Sequence, residues 1–166
     1  SQYAFINCTN LTSLVIPNSV TSIGADAFNF CFRITSLTIG NSVVSIGTSA
    51  FTYCGGLTSV TIPASVVSIS NGAFNNCRVL TSVAIPNSVN SIGYGGFNSC
   101  SALTSVTFGN SPTLSYMNTY VFENCVRLTS ITLPNSLGFV DGGCFKGCSS
   151  LALVRIPASL TGFGYE

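Results

Sequence analysis

Residues 11–33 read LTSLVIPNSVTSIGADAFNFCFR, and residues 80–102 read LTSVAIPNSVNSIGYGGFNSCSA. The two segments align without a gap. Units of the same kind begin at Leu11, Ile34, Leu57, Leu80, Leu103, Leu128 and Leu151, in steps of 23, 23, 23, 23, 25 and 23 residues. Self-similarity at a fixed period of this length is the signature of stacked repeats. Residues 1–10, SQYAFINCTN, fit the tail of a unit, because Ala4, Phe5 and Cys8 match Ala27, Phe28 and Cys31. The last unit stops at Glu166, partway through. The expectation is a single repeat domain over 1–166, opening with a partial unit at 1–10.

Each unit divides by period. Ser13–Ile16 alternates polar and apolar residues, which predicts a short half-buried strand. Pro17 has no N–H to donate and ends the pairing. Asn18-Ser19 reads as a turn. Val20 and Ile23 point back inward, and Gly24 allows a bend. Ala27, Phe28 and Cys31 follow at roughly helical spacing, which predicts one turn of α- or 3₁₀-helix. A unit of this size cannot bury its apolar stripe alone, whereas stacked copies can. The predicted fold is an α/β solenoid, mostly β with short helical or 3₁₀ turns, its main strands parallel on one face.

The unit resembles the BspA-like class of leucine-rich repeat, whose pattern is close to LxxLxLPxxLxxIxxxAFxxC. The likeness covers nearly the whole chain. There are departures from the pattern. Gly40 and Gly109 replace Pro, Cys144 replaces Ala, and Phe163 replaces Ile. The fifth full unit carries two extra residues, most simply Pro112-Thr113, followed by Tyr116, Met117 and Asn118 where others have Ser-Ile-Gly. The resemblance implies a leucine-rich solenoid with its parallel sheet on the concave face. It also implies a secreted or surface protein, often adhesive, of bacteria or some protists.

Composition narrows function further. The 166 residues hold 5 Lys+Arg, 4 Asp+Glu and no His, so only 5% are charged. Ordinary soluble domains carry roughly 25%. There is no basic face to neutralise phosphates, which argues against nucleic acid. Without His, most acid–base and metal chemistry lacks its usual groups. The apolar content is 46%, yet every apolar run is broken well short of the 18 or more residues that span a bilayer. Ser, Thr and Asn number 25, 17 and 15, so solubility rests on hydroxyls and amides. No charged region followed by an apolar stretch opens the chain, so any secretion signal is expected to be removed or to lie outside it. The charges do not converge: Arg33, Arg78 and Arg127 fall near unit ends, and Asp26, Glu123, Asp141 and Glu166 fall on the turn side.

Three columns recur inside the units. Phe5, Phe28, Phe51, Phe74, Phe97, Phe122 and Phe145 form a predicted buried aromatic spine. Cys8, Cys31, Cys54, Cys77, Cys100, Cys125 and Cys148 form a second column. Clustered metal spacings are absent from it, and the expectation is free, buried thiols. Neighbouring coils are close enough for disulfides, with Cys144 the best partner for Cys148 or Cys125. Ser19, Ser42, Ser65, Ser88, Ser111, Ser136 and Ser159 suggest a hydroxyl ladder that satisfies backbone groups. Asn7-Cys8-Thr9 and Asn10-Leu11-Thr12 match the glycosylation acceptor pattern.

The exposed strand positions supply the candidate binding face: Ser36, Thr38, Ser59, Thr61, Ser82, Ser105, Thr107, Ser130 and Thr132. A solvated β face, a shallow protein- or glycan-binding surface and an ice-binding Thr array are the alternatives there, and Val15 and Ala84 interrupt the last. No catalytic, cofactor or metal constellation is visible. The expected function is a non-enzymatic extracellular or cell-surface adhesion or protein-binding module without cofactor, not membrane-spanning, that takes a protein or glycan ligand on its concave face. The alternative is a structural protein whose solenoids stack end to end into a filament. Neither end shows a polar cap, and head-to-tail contacts would use Tyr3, Phe5, Ile6, Leu153, Leu160 and Phe163. Those open ends fit either complementary stacking or a piece of a longer protein.

Overall fold

A computed structural model describes residues 2–109 and 113–165. Ser1, Asn110, Ser111, Pro112 and Glu166 lie outside the described residues. Among the described residues each coil contributes one main strand and one short strand. In chain order these are β1 (Ser13–Ile16) and β2 (Ser22–Ile23), β3 (Ser36–Ile39) and β4 (Ser45–Ile46), and β5 (Ser59–Thr61) and β6 (Ser68–Ile69). They continue with β7 (Ser82–Ile85) and β8 (Ser91–Ile92), β9 (Ser105–Phe108) and β10 (Tyr116–Met117), and β11 (Ser130–Thr132) and β12 (Phe139–Val140). The last pair is β13 (Leu153–Arg155) and β14 (Gly162–Phe163). All pairings are parallel, and the fold is a parallel β-solenoid. Ser13 faces Ser36, Val60 faces Val83, Ile69 faces Ile92, and Ile131 faces Val154, so each register step equals one unit.

The main strands form three runs, β1-β3, β5-β7-β9 and β11-β13, and the short strands form two, β2-β4-β6-β8 and β10-β12-β14. The main sheet is unpaired between β3 and β5 and again between β9 and β11, and the short one between β8 and β10; the last two breaks flank the fifth full unit, where the two extra residues lie. Alternation places Val60, Val83, Val106 and Ile131 inward from the main sheet and Ile46, Ile69, Ile92 and Met117 inward from the short one, all in one apolar core.

The third side of each coil departs from the expected helical turn. Among the described residues it contains hydrogen-bonded turns but no α- or 3₁₀-helix, so the helical part of the α/β expectation is not met. The reason is where alternate N–H groups point. Asp26, Phe28 and Phe30 donate forward to Thr48, Ala50 and Thr52 of the next coil at 2.8–2.9 Å, while Ala27, Asn29 and Cys31 donate locally three residues back. A helix would keep every bond inside the segment. The alternation is made possible by two left-handed residues per unit, such as Asp26 (φ 53°) and Phe30 (φ 61°), Ser49 (φ 54°) and Tyr53 (φ 59°), and Gly72 (φ 61°) and Asn76 (φ 59°). The repeat thus forces an uncommon conformation on ordinary L-residues.

The aromatic spine is as the pattern predicts. Successive rings from Phe5 to Phe145 stack with centroids 5.2–5.8 Å apart and planes within 11°. Phe51, Phe74, Phe97 and Phe122 are fully buried. The N–H of every spine Phe from Phe5 to Phe122 reaches the next coil, as Phe74 does to Gly96 at 2.8 Å. Gly40 fits its departure from Pro: a Cβ there would come within 2.6 Å of the Pro17 carbonyl oxygen.

Candidate functional site

The main strands set every candidate face residue on the outward side of the sheet by simple alternation. Ser36, Thr38, Ser59, Thr61, Ser82, Ser105, Thr107, Ser130 and Thr132 are all exposed. None of their nine hydroxyls bonds to a described residue. The neighbouring Thr column behaves in the opposite way. Thr35 Oγ1 donates to Thr12 O at 3.2 Å, Thr81 to Thr58 O at 3.2 Å, and Thr104 to Thr81 O at 3.1 Å. Three hydroxyls of this column, those of Thr35, Thr81 and Thr104 but not of Thr12, Thr58 or Thr129, therefore tie coil to coil, and the two columns beside it stay uncommitted. Sequence reasoning missed the tying column. Its signal, a Thr after the first Leu of most units, was visible, but only geometry shows which hydroxyl turns back onto the chain.

The Ser column is a partial ladder. Ser65, Ser136 and Ser159 donate to Val43 O, Leu114 O and Leu137 O at 2.7–2.8 Å. Ser19 and Ser42 are exposed and make no such bond, and the Ser88 hydroxyl is buried without a partner.

The cysteines are structural, and all eight are free. The thiol of each coil donates to the spine carbonyl of the coil before: Cys31 to Phe5, Cys54 to Phe28, Cys77 to Phe51, Cys100 to Phe74, Cys125 to Phe97 and Cys148 to Phe122, at 3.1–3.4 Å. That carbonyl also accepts the N–H of its own coil's Cys, as Phe51 does from Cys54 at 3.2 Å. Burial pushes the Cys77 and Cys144 thiols up to about 12 and raises those of Cys31, Cys54, Cys100, Cys125 and Cys148. A thiol so raised is a poor nucleophile at neutral pH.

Asp141 is more than a solvated charge. Its carboxylate accepts from Tyr116 Oη at 2.5 Å, Thr119 Oγ1 at 2.9 Å and the Gly142 N–H at 2.8 Å. The Tyr116 bond, with the Gly142 and Thr119 bonds, holds the carboxyl below its ordinary range. Tyr116 in turn stacks on Phe139, centroids 5.6 Å apart. These contacts join the coil that carries the insertion to the one after it.

At the two end coils, Tyr3, Phe5, Leu153 and Phe163 are exposed and Ile6 and Leu160 half-buried; Phe5 and Phe163 keep 50% and 59% of their surface. Asn7 and Asn10 are exposed. Among the described residues no group of three or more His, Cys, Asp or Glu is placed to hold a metal. No helix among them is long and apolar enough to cross a membrane.

Comparison with known proteins agrees with this architecture. The BspA type leucine rich repeat region matches in six copies, over residues 1–114 and 68–166. A leucine-rich repeat protein from Bacteroides ovatus superposes with a TM-score of 0.91 at 31% identity, over 99% of this chain and 42% of that one. The T. pallidum leucine rich repeat protein gives 0.85 at 32% identity, over 91% of this chain and 70% of that one. A leucine rich cell surface protein from Faecalibacterium prausnitzii gives 0.62 at 27% identity, over 95% and 57%. The chain thus spans less than half the length of the Bacteroides ovatus protein. No curated protein matches it in sequence. Unit pattern, parallel register and matched profile agree: the chain belongs to the BspA-type leucine-rich repeat family.

Proposed function

We propose that this chain is a non-enzymatic binding module of an extracellular or cell-surface protein, and that it holds a protein or glycan partner against the outward face of its main sheet. One observation carries the reading. The nine hydroxyls from Ser36 to Thr132 are exposed and uncommitted, while in the adjacent column Thr35, Thr81 and Thr104 are bonded to the backbone of the coil before. Exposed donors and acceptors that the fold does not need are free for a ligand. Solenoids use such extended faces, and leucine-rich repeats hold this one concave. The description of the Faecalibacterium prausnitzii relative as a cell surface protein supports the placement. The test is binding to arrayed purified extracellular proteins and oligosaccharides. Thr107→Arg and Thr132→Arg are expected to weaken binding at least tenfold, whereas Val79→Arg, away from the sheet face, is not. Equal binding by all variants would refute the reading.

A second reading, stacking of copies end to end, is supported by the apolar exposure of Phe5, Leu153 and Phe163 on the end coils. A groove of about 310 Å³ beside Phe5, Leu14, Val20 and Phe28 adds to it. Sedimentation velocity tests it: concentration-dependent assemblies that Leu153→Lys or Leu160→Glu dissolve would favour stacking.

A further inference from the structure

The binding face is not uniform. Strands β9 and β11 lie side by side yet unpaired, as do β3 and β5, and the β9–β11 junction is the one at the coil with the two extra residues. An open cleft of about 390 Å³ lies over this junction, within the roughly 300–1,000 Å³ typical of small-ligand sites. Its walls are Ser105, Thr107, Ser130, Thr132 and Asn135, with Phe108 beneath. No residue lining it carries a charge. Four of those walls are uncommitted hydroxyls, so the cleft gathers almost half of the free hydroxyls of the face into one concavity.

We infer that this cleft is the ligand site and that it takes a neutral saccharide unit; the inference rests on the face being the binding surface. The chemistry of the lining selects the ligand class. Hydroxyl and amide groups both donate and accept, which suits a polyhydroxylated ligand that does the same. Phosphorylated or sulfated ligands would bring charges that no lining residue answers; the neighbouring charge, Arg155, lies outside the lining on the adjacent strand, in register with Thr132, and the acidic arm of the test below reads its reach. A protein partner would be expected to anchor on exposed aromatic or Arg residues, and the walls present none. The apolar Phe108 below offers a surface for the C–H face of a sugar ring.

The experiment is an array of neutral and acidic oligosaccharides of defined sequence, then calorimetric titration of the tightest binder with wild type, Thr132→Arg, Thr107→Val/Thr132→Val and Thr61→Arg. Circular dichroism and Tm confirm that each variant is folded. Binding of neutral saccharides that falls at least tenfold in both cleft variants and less than twofold in Thr61→Arg supports the cleft. Equal losses in Thr61→Arg overturn the cleft while leaving the face as the binding surface. Binding of acidic saccharides alone, or of a purified protein blocked by face variants with no saccharide bound, overturns the neutral-sugar assignment and again leaves the face. Saccharide binding indifferent to all these variants removes both readings.

Discussion

At the scale of single residues, the repeat imposes the same two backbone demands on every coil and meets them with different side chains. The first left-handed position is Asp26, Ser49, Gly72, Gly95, Tyr120 and Gly143 in successive units. A left-handed L-residue costs about 1–2 kcal/mol, and glycine avoids most of that at some entropic cost. Ser49→Gly should therefore raise stability by up to about 1 kcal/mol. Gly72→Ala should lower it by about 1 kcal/mol or more, although a Cβ there meets nothing closer than 3.5 Å. The sign is set by backbone alone, and denaturant midpoints of the pair would show it. The spine makes a different demand. Phe74 is sandwiched between Phe51 and Phe97 at 5.4 and 5.2 Å and fully buried. Phe74→Ala should cost about 3–5 kcal/mol, and an unchanged thermal midpoint would contradict the spine. The spine was readable from a Phe recurring beside Ala and before Cys. The left-handed positions were not, because Ser, Tyr and Phe give no sign of positive φ in a sequence and Asp only a weak one, and helical spacing of apolar residues suggested a helix in their place.

At the scale of elements, hydroxyl columns and thiol columns do separate jobs. Thr81 holds Thr58 O, whereas Thr61 holds nothing on the chain. Thr81→Val should then cost about 0.5–1.5 kcal/mol, the net worth of a hydrogen bond. Thr61→Val should be neutral or slightly stabilising, since Val suits a strand. Equal effects would show that the two columns are not distinct. The thiol column makes stability depend on pH. Its buried members keep their protons far above the ordinary 9.0, Cys77 to about 12. Their contribution is whole below pH 9. It declines as pH rises from about 9 to about 12, because the unfolded chain sheds protons that the fold retains. Thermal melts across that range should show a falling Tm, and a Cys54→Ser/Cys77→Ser/Cys100→Ser variant should lose less. Main strand boundaries were legible, β1 and β3 matching the alternation at Ser13–Ile16 and its repeat. The interruption of both sheets was not, since an insertion of two residues names its place but not which ladders it breaks.

At the scale of the whole molecule, each coil touches mainly its neighbours, so stability accumulates coil by coil. Function is laid along the axis in the same way. The chain spends Thr35, Thr81 and Thr104 of one outward column on holding coils together and leaves two columns for something else. Position in the repeat made those two columns legible as exposed, but their freedom from internal bonds emerged only once the Thr column was seen to close on the backbone. The most direct measurement strips the face and leaves the frame. In one variant Ser36, Ser59, Ser82, Ser105 and Ser130 become Ala, and Thr38, Thr61, Thr107 and Thr132 become Val. Its circular dichroism and Tm are read together with its binding to the array partner of the wild-type chain. A folded solenoid with a Tm within a few degrees of wild type and binding reduced at least a hundredfold is the expected result. Undiminished binding by the folded variant, or a variant that fails to fold, would contradict the claim that these hydroxyls serve a partner and not the fold.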